Sequence, residues 1–265
     1  MASDIGSKLS ANLFGSSNQI SKSFQKLSSG KRINSASDDA AGLAIVSQLE
    51  SSVKTSIQGA RNAVDGISVA SIAEGALSQV TDITSRQQEL ATQAANGTVS
   101  DTQRDSLNQE YQALESEKQR IFSTTSFNGV NVFSGTDTTL QVGQSGDASS
   151  QIKLSSISSS ALGSVGDISS QANAQAAIDQ LKNQGQTLSE SRGQIGAAVS
   201  RVSIAEQGAR NNAVESEGAA SRIRDADVAE EAAKLTSAKI RQHTTTALVA
   251  QAGKLTADSV LRLLG

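Results

Sequence analysis

"LSSGKRINSASDDAAGLAI", residues 27–45, sets a glycine, two basic residues, an asparagine, spaced serines and two adjacent aspartates between stretches of helical pattern. The chain contains no proline, so other residues must interrupt the helix. A comparable interruption, "SRIRDADVAEEAAKL" at residues 221–235, lies near the other end. Before the first break, apolar residues recur at Ile5, Leu9, Leu13, Ile20, Phe24 and Leu27, a spacing that holds one helical stripe. Gly30 weakens that helix, and Asn34 and Ser35 read as loop. Ser37 is placed to cap a new helix, with Asp38 and Asp39 in its first turn at the positive end of the dipole.

Outward from this break, Val46, Leu49, Val53, Ile57, Ala60, Val64 and Ile67 alternate steps of three and four, the pattern of a heptad seam. The seam continues less regularly through Ile72, Leu77, Val80, Ile83 and Leu90, and stops at "ANGTVSD", where Gly97 is expected to cap the end. A helix over about 37–96 would be roughly 90 Å long, which suits a coiled-coil rod rather than a compact domain. Ser100 and Gln103 form a capping-box pattern for a third helix carrying Leu107, Tyr111, Leu114 and Ile121. The period then falls to two, at Val130 and Val132, Leu140 and Val142, Ile152 and Leu154, with Asn128-Gly129 and Ser134-Gly135 supplying turns. This predicts a small antiparallel β element at about 130–157, followed by a serine-rich loop to 170.

Helix resumes near Gln171 with a regular seam at Ile178, Leu181, Gly185, Leu188, Arg192, Ile195, Val199, Val202, Glu206, Ala209 and Ala213. Asp227 and Glu230 mark the start of a last helix, rich in Ala and Thr, that ends in Val260, Leu261, Leu263 and Leu264. The fold class is therefore mainly α: an elongated antiparallel helical coiled-coil rod with a small β-hairpin element. The two breaks stand at mirrored distances from the ends, so an antiparallel path brings them side by side and pairs the terminal helices. Lys31 and Arg32 before one break, Asp38 and Asp39 after it, would then meet Arg222, Arg224, Asp225 and Asp227 of the other. The acids are expected to cap their own helix and to face an Arg across the gap.

Composition removes other classes. One Tyr, five Phe and no Trp cannot organise a compact aromatic core. Without Cys there is no disulfide or thiolate site, and a single His, His243, leaves no His-based metal or triad chemistry. Asp38 and Asp39 are adjacent, so on a helix they point about 100° apart and do not converge on one reacting atom. No catalytic, cofactor-binding or metal site is expected. The net charge of −3 gives no basic footprint for nucleic acid, and no run of 18 apolar residues offers a membrane span. The start lacks the pattern of a Sec-type signal peptide. The terminal helices hold few large side chains, while ordering costs about 1–2 kcal/mol per residue. They are expected to be marginal alone and ordered on self-association, the alternative being that they pack on each other.

"LSSGKRINSASDDAAGLAI", "ARNAVDGISVASIAEGAL" (60–77), "TSFNGVNVF" (125–133), "SRIRDADVAEEAAKL" and the closing "ALVAQAGKLTADSVLRLLG" resemble bacterial flagellin. The resemblance covers both ends of the family, in order, and is weakest at about 134–175. It departs from the family's habit of a Pro in the stretch matched by Lys254 to Asp258. It implies a minimal member with only the two core domains: residues 1–33 and 223–265 in an inner-tube domain, 34–46 as a spoke, and 47–222 as an outer-tube rod. It implies a structural subunit, secreted by the flagellar type III apparatus, that polymerises into an extracellular helical filament for motility. Implied spoke residues are Lys31, Arg32, Asn34, Asp38, Asp39, Arg222, Arg224, Asp225 and Asp227. Implied inner-tube packing residues are Ile5, Leu9, Leu13, Phe24, Leu27, Val260, Leu261, Leu263 and Leu264. Implied partners are further copies of the chain, an export chaperone at the C-terminal segment, and the filament cap and hook–filament junction proteins. A flagellin-sensing Toll-like receptor is implied for some members, and Arg86, Leu90 and Glu110 match its contact pattern; Leu90 reads equally as a seam residue. The alternative reading is a hook–filament junction protein or another secreted coiled-coil protein of the same apparatus.

Overall fold

The computed structural model describes the backbone of residues 2–163 and 165–264, and the side chains of residues 7–254 apart from 161 and 164. Five helices carry the fold: α1 (Ala2–Ser29), α2 (Ala40–Ala94), α3 (Asp101–Thr124), α4 (Gln171–Arg224) and α5 (Val228–Leu264). Strands β1 (Ser126–Phe127) and β2 (Val130–Asn131) pair antiparallel, as do β3 (Thr138–Gln141) and β4 (Gln151–Leu154). The expected single β element at 130–157 is therefore two separate hairpins, the first beginning at Ser126. Asn128 and Gly129, both at positive φ, make the tight turn of that first hairpin. The serine-rich loop is not featureless: it seats Ile157, Val165 and Ile168 in the interior.

The chain divides into two compact units, Met1–Ser52 with Val214–Gly265, and Val53–Ala213. In the first, α1 packs on α5. Among the described residues their shared interior is thin: in this helix pair the fully buried ones are Ser23, Glu231 and Ala238, with Leu9, Leu13, Ile20, Leu27 and Leu235 half-buried. Ser23 donates its hydroxyl hydrogen to Glu231 Oε1 at 2.7 Å, a buried polar tie between the helices.

In the second unit, α2, α3 and α4 share two larger interiors. One holds Leu77, Val80, Ile121, Phe122, Phe133, Leu188 and Ile195, with Phe122 and Phe133 edge-on at 4.9 Å. The other holds Leu90, Tyr111, Ile168 and Leu181. On α2 the buried row runs Ala63, Gly66, Ala70, Ala73, Leu77, Val80, Thr84, Gln87, Ala91 and Ala94. The expected seam holds at Val46, Ala60, Leu77, Val80 and Leu90, all buried, and fails at Ile57, Val64 and Ile72, which are more than a third exposed; on α1, Phe24 is exposed as well. Small residues let helix backbones approach closely, so over 57–73 Ala60, Ala63, Gly66, Ala70 and Ala73 take the inside and Ile57, Val64 and Ile72 are left partly exposed. On α4 the expected seam holds at Leu181, Leu188, Ile195, Val202, Ala209 and Ala213, all buried.

The α2–α3 reversal also differs from expectation. Gly97 does not adopt positive φ and caps nothing in the left-handed sense. The buried Arg104 closes the helix end instead. Its guanidinium donates to the carbonyl of Ala94, to that of Asn96 at 3.2 Å and to that of Val99 at 2.7 Å. The capping box is present as read: Gln103 N–H donates to Ser100 Oγ and Ser100 N–H to Gln103 Oε1.

Candidate functional site

Gly30 ends α1 at φ +68, a conformation open to glycine and strained for side-chain residues. The chain then meets the end of α4 through its backbone. Lys31 and Asp225 form an antiparallel bridge; Arg32 N–H donates to the Arg224 carbonyl at 2.6 Å and Ala226 N–H to the Gly30 carbonyl at 2.9 Å. Arg32 adds a guanidinium hydrogen bond to the Ile223 carbonyl at 2.6 Å. The two breaks thus lie side by side and pair as a short clasp.

Each break is shaped by its own acids. Asp38 Oδ2 accepts from the N–H groups of Asn34 and Ser35 at 3.1 and 3.0 Å, and from the Ser35 hydroxyl at 3.0 Å. Asn34 Nδ2 donates to the Lys31 carbonyl at 2.9 Å. The N-cap of α2 is Asp39, not Ser37: Asp39 Oδ1 accepts from Gly42 N–H at 2.8 Å, while the Ser37 hydroxyl pairs with that of Ser35. A Cβ at Gly42 would lie 2.5 Å from Asp39 Oδ2 and 2.8 Å from Ile33 Cδ1, so a side chain there would displace the capping carboxylate and Ile33. Ile33, 3% exposed, is the apolar plug of the clasp. Asp227 caps α5, accepting from Ala229 and Glu230 N–H at 2.9 and 3.1 Å.

The expected cross-gap pairs do not form. Arg224 pairs with Glu50 on α2 and with Asp225 Oδ1, and Asp225 also accepts from the Ser221 hydroxyl. Asp38 and Asp39 are occupied by backbone N–H groups within their own turn, which leaves Glu50 as the α2 carboxylate that meets Arg224. Arg222 is exposed. Glu50 and Gly42 were missed from sequence; Glu50 lies one residue after Leu49 of the expected α2 seam, beside the inward face, which is the signal that could have found it.

Asp38 is held below the ordinary carboxylate value by the N–H groups of Asn34 and Ser35, and Asp225 is lowered first by the Ser221 hydroxyl and then by Arg224. A lowered folded-state pKa means the clasp is supported above the ordinary value near 3.8 and loses that support as pH falls through the folded value. The Asn34 and Ser35 amide proton shifts should therefore titrate with a midpoint below 3.8. A midpoint at or above it would mean that Asp38 does not hold the turn.

Elsewhere, Arg86 and Glu110 form an exposed ion pair at 2.8 Å between α2 and α3. Leu90 is 1% exposed, packed with Tyr111 and Leu181, so the seam reading holds for it and it presents no surface beside that pair. Of the inner-tube residues, Leu9, Leu13 and Leu27 are half-buried and Phe24 is exposed. The side chains of Ile5, Val260, Leu261, Leu263 and Leu264 lie outside the described residues; their backbones are helical.

Residues 5–138 match the model of the bacterial flagellin N-terminal helical region, and residues 175–264 that of the C-terminal helical region. The chain is 38% identical over 252 residues to a flagellin of Halalkalibacterium halodurans, covering 93% of this chain and 92% of that one. It is 33% identical over 262 residues to the flagellar filament 31.3 kDa core protein of Treponema maltophilum, covering 92% and 91%. The crystal structure of Bacillus cereus flagellin superposes with a TM-score of 0.52 at 30% identity, over 56% of this chain and 88% of that one. With both helical regions matched in order and a full-length relative above 30% identity, the chain belongs to the bacterial flagellin family.

Proposed function

We propose that the chain is the repeating structural subunit of a flagellar filament, with the α1–α5 pair facing the inner tube, the clasp at residues 30–39 and 221–227 as the spoke, and the second unit in the outer tube. The observation that carries this reading is an inversion of the usual burial pattern. Alanine fills half of the buried α2 row, while Phe14, Phe24, Ile204, Ile240 and Leu248 are at least half exposed. Large apolar side chains are ordinarily sequestered, and a chain that keeps so many outside has surfaces for its own copies to cover.

On this reading an export chaperone covers α5 before secretion, and the cap and junction proteins meet the terminal units at the two filament ends. The type III route and the extracellular destination follow from the same assignment. For a Toll-like receptor, the exposed Arg86 and Glu110 are the residues available.

The thin α1–α5 interior supports folding of this pair on assembly. Limited proteolysis of dilute chain should remove α1 and α5 well before cutting residues 53–213, and assembled chain should resist at both. Equal protection of the terminal helices and the second unit in dilute chain would contradict this role.

A further inference from the structure

The helices of the second unit have seams that nearly repeat every seven residues. On α4, Leu181, Leu188, Ile195 and Val202 are spaced by seven and all buried. On α3, Leu107, Leu114 and Ile121 are spaced likewise. Sliding either helix by one heptad puts one aliphatic residue where another was, so apolar burial discriminates weakly between registers. The rows beside them are different. On α3 the companion row is Arg104, Tyr111 and Lys118, three buried residues that cannot exchange places. On α4 the companion row is Ala177, Gln184, Ser191 and Ala198, in which Gln184 is distinct.

These distinct residues find each other. Lys118 Nζ, on a side chain only 3% exposed, donates to Gln184 Oε1 at 3.0 Å and pairs with Glu115 Oε2 at 2.8 Å. Gln184 Nε2 donates to the Gly163 carbonyl at 3.1 Å. From α2, Gln87 Nε2 donates to the Tyr111 carbonyl at 3.2 Å and reaches Glu115 at 3.3 Å. All three helices and the loop before α4 therefore contribute to one buried polar cluster. We infer that Lys118, Glu115 and Gln184 are positioning residues that set the helix register of the second unit, and through it the placement of the surfaces that a neighbouring copy meets.

The physical reason is the cost of the wrong register. A one-heptad slide, about 10 Å at 1.5 Å per residue, would place Lys118 against Ala177 or Ser191, still beside Glu115 of its own helix but without the Gln184 acceptor, and would set Gln184 against Tyr111 or Thr125. A buried polar or charged group that loses a hydrogen-bond partner is disfavoured, whereas a buried polar cluster replaced by aliphatic residues is often tolerated. The same logic lets one buried polar residue fix register in coiled coils. The consequence for assembly rests on the filament reading. The register itself does not, and it is measured on unassembled chain.

The chain has no cysteine, so two introduced ones label cleanly. Spin labels at Ala113→Cys on α3 and Ala197→Cys on α4, both exposed sites, report the position of one helix relative to the other. Pulsed dipolar spectroscopy of the full chain should give one distance in the parent. In the triple variant Lys118→Leu, Glu115→Gln, Gln184→Leu, a second population displaced by about 10 Å should appear, with helicity by circular dichroism retained. Gln184→Leu alone, which leaves Lys118 its pair with Glu115, should show a smaller second population. An unchanged single distance in the triple variant, or in Gln184→Leu should the triple variant fail to fold, would overturn the assignment. A drop in melting temperature with that single distance retained would make the cluster stabilising but not register-setting.

Discussion

Phe24→Ser, Ile204→Ser and Ile240→Ser combined are expected to raise the protein concentration needed for filament growth by at least about 100-fold. Their side chains are 64%, 72% and 61% exposed in the free chain, so the fold derives little from them. Exposed substitutions of this kind usually shift stability by no more than about 0.5 kcal/mol each, and melting of the free chain should barely move. Covering such side chains in an assembly is another matter. Full burial of a Phe or Ile is worth about 1.5–3 kcal/mol, so sheltering the exposed part contributes about 1 kcal/mol or more per residue. Three of them give about 3 kcal/mol, and each 1.4 kcal/mol is tenfold in concentration. Sedimentation of filaments from a dilution series checks this. Growth of the variant at the parent's concentration would show that these residues stay uncovered.

The largest expected effect on the free chain is at Arg104. Its guanidinium holds three carbonyls at the α2–α3 reversal, and its side chain is 8% exposed. Arg104→Ala removes charge-assisted bonds and strands carbonyls of buried or half-buried backbone, so about 3 kcal/mol or more should be lost. For a unit of this size that corresponds to roughly 6–12 °C in melting temperature. Arg104→Lys should recover only a minor part, because an ammonium is a point donor and cannot bridge several fixed carbonyls as the planar fork does. A scanning calorimetry shift under about 2 °C for Arg104→Ala would show that the reversal is held by something else.

How much of this was legible in the sequence depended on the helix. The α4 seam could be read directly because Leu181, Leu188, Ile195 and Val202 are both the largest apolar residues on their helix and the buried ones. On α2 those two properties separate. Ala63, Ala70 and Ala73 are inside while Ile57, Val64 and Ile72 are more than a third exposed, so a reading by side-chain size finds Leu77, Val80 and Leu90 but misplaces the first half of the seam. The caps at Ser100 and Asp227 were visible as local patterns, since a cap needs only its own turn. The cap at α2 was misplaced by two residues because Ser37, Asp38 and Asp39 are all capping types; Ser37 pairs with Ser35 and Asp38 with the Asn34 and Ser35 N–H groups, which leaves Asp39 to the helix start.

The clasp shows the same division. That the two breaks meet was readable from their mirrored positions. Which side chains meet was not, because Asp38 and Asp39 find backbone donors within four residues and Arg224 finds Glu50, far along the chain on α2. Arg104 and Lys118 were missed for a related reason: charged residues are almost never fully buried unless paired, and Glu115 three residues before Lys118 reads as an ordinary surface pair, while the carbonyls that Arg104 meets and Gln184 carry no sequence signal.

The most direct measurement is electron microscopy of the purified full chain, concentrated and seeded with sheared fragments of its own product. A flagellar filament subunit should yield long tubes of uniform diameter with helical layer lines, growing from the seeds. Chain that remains as monomers or closes into discrete particles under seeding, while circular dichroism shows it folded, would contradict the assignment of this protein as a filament subunit.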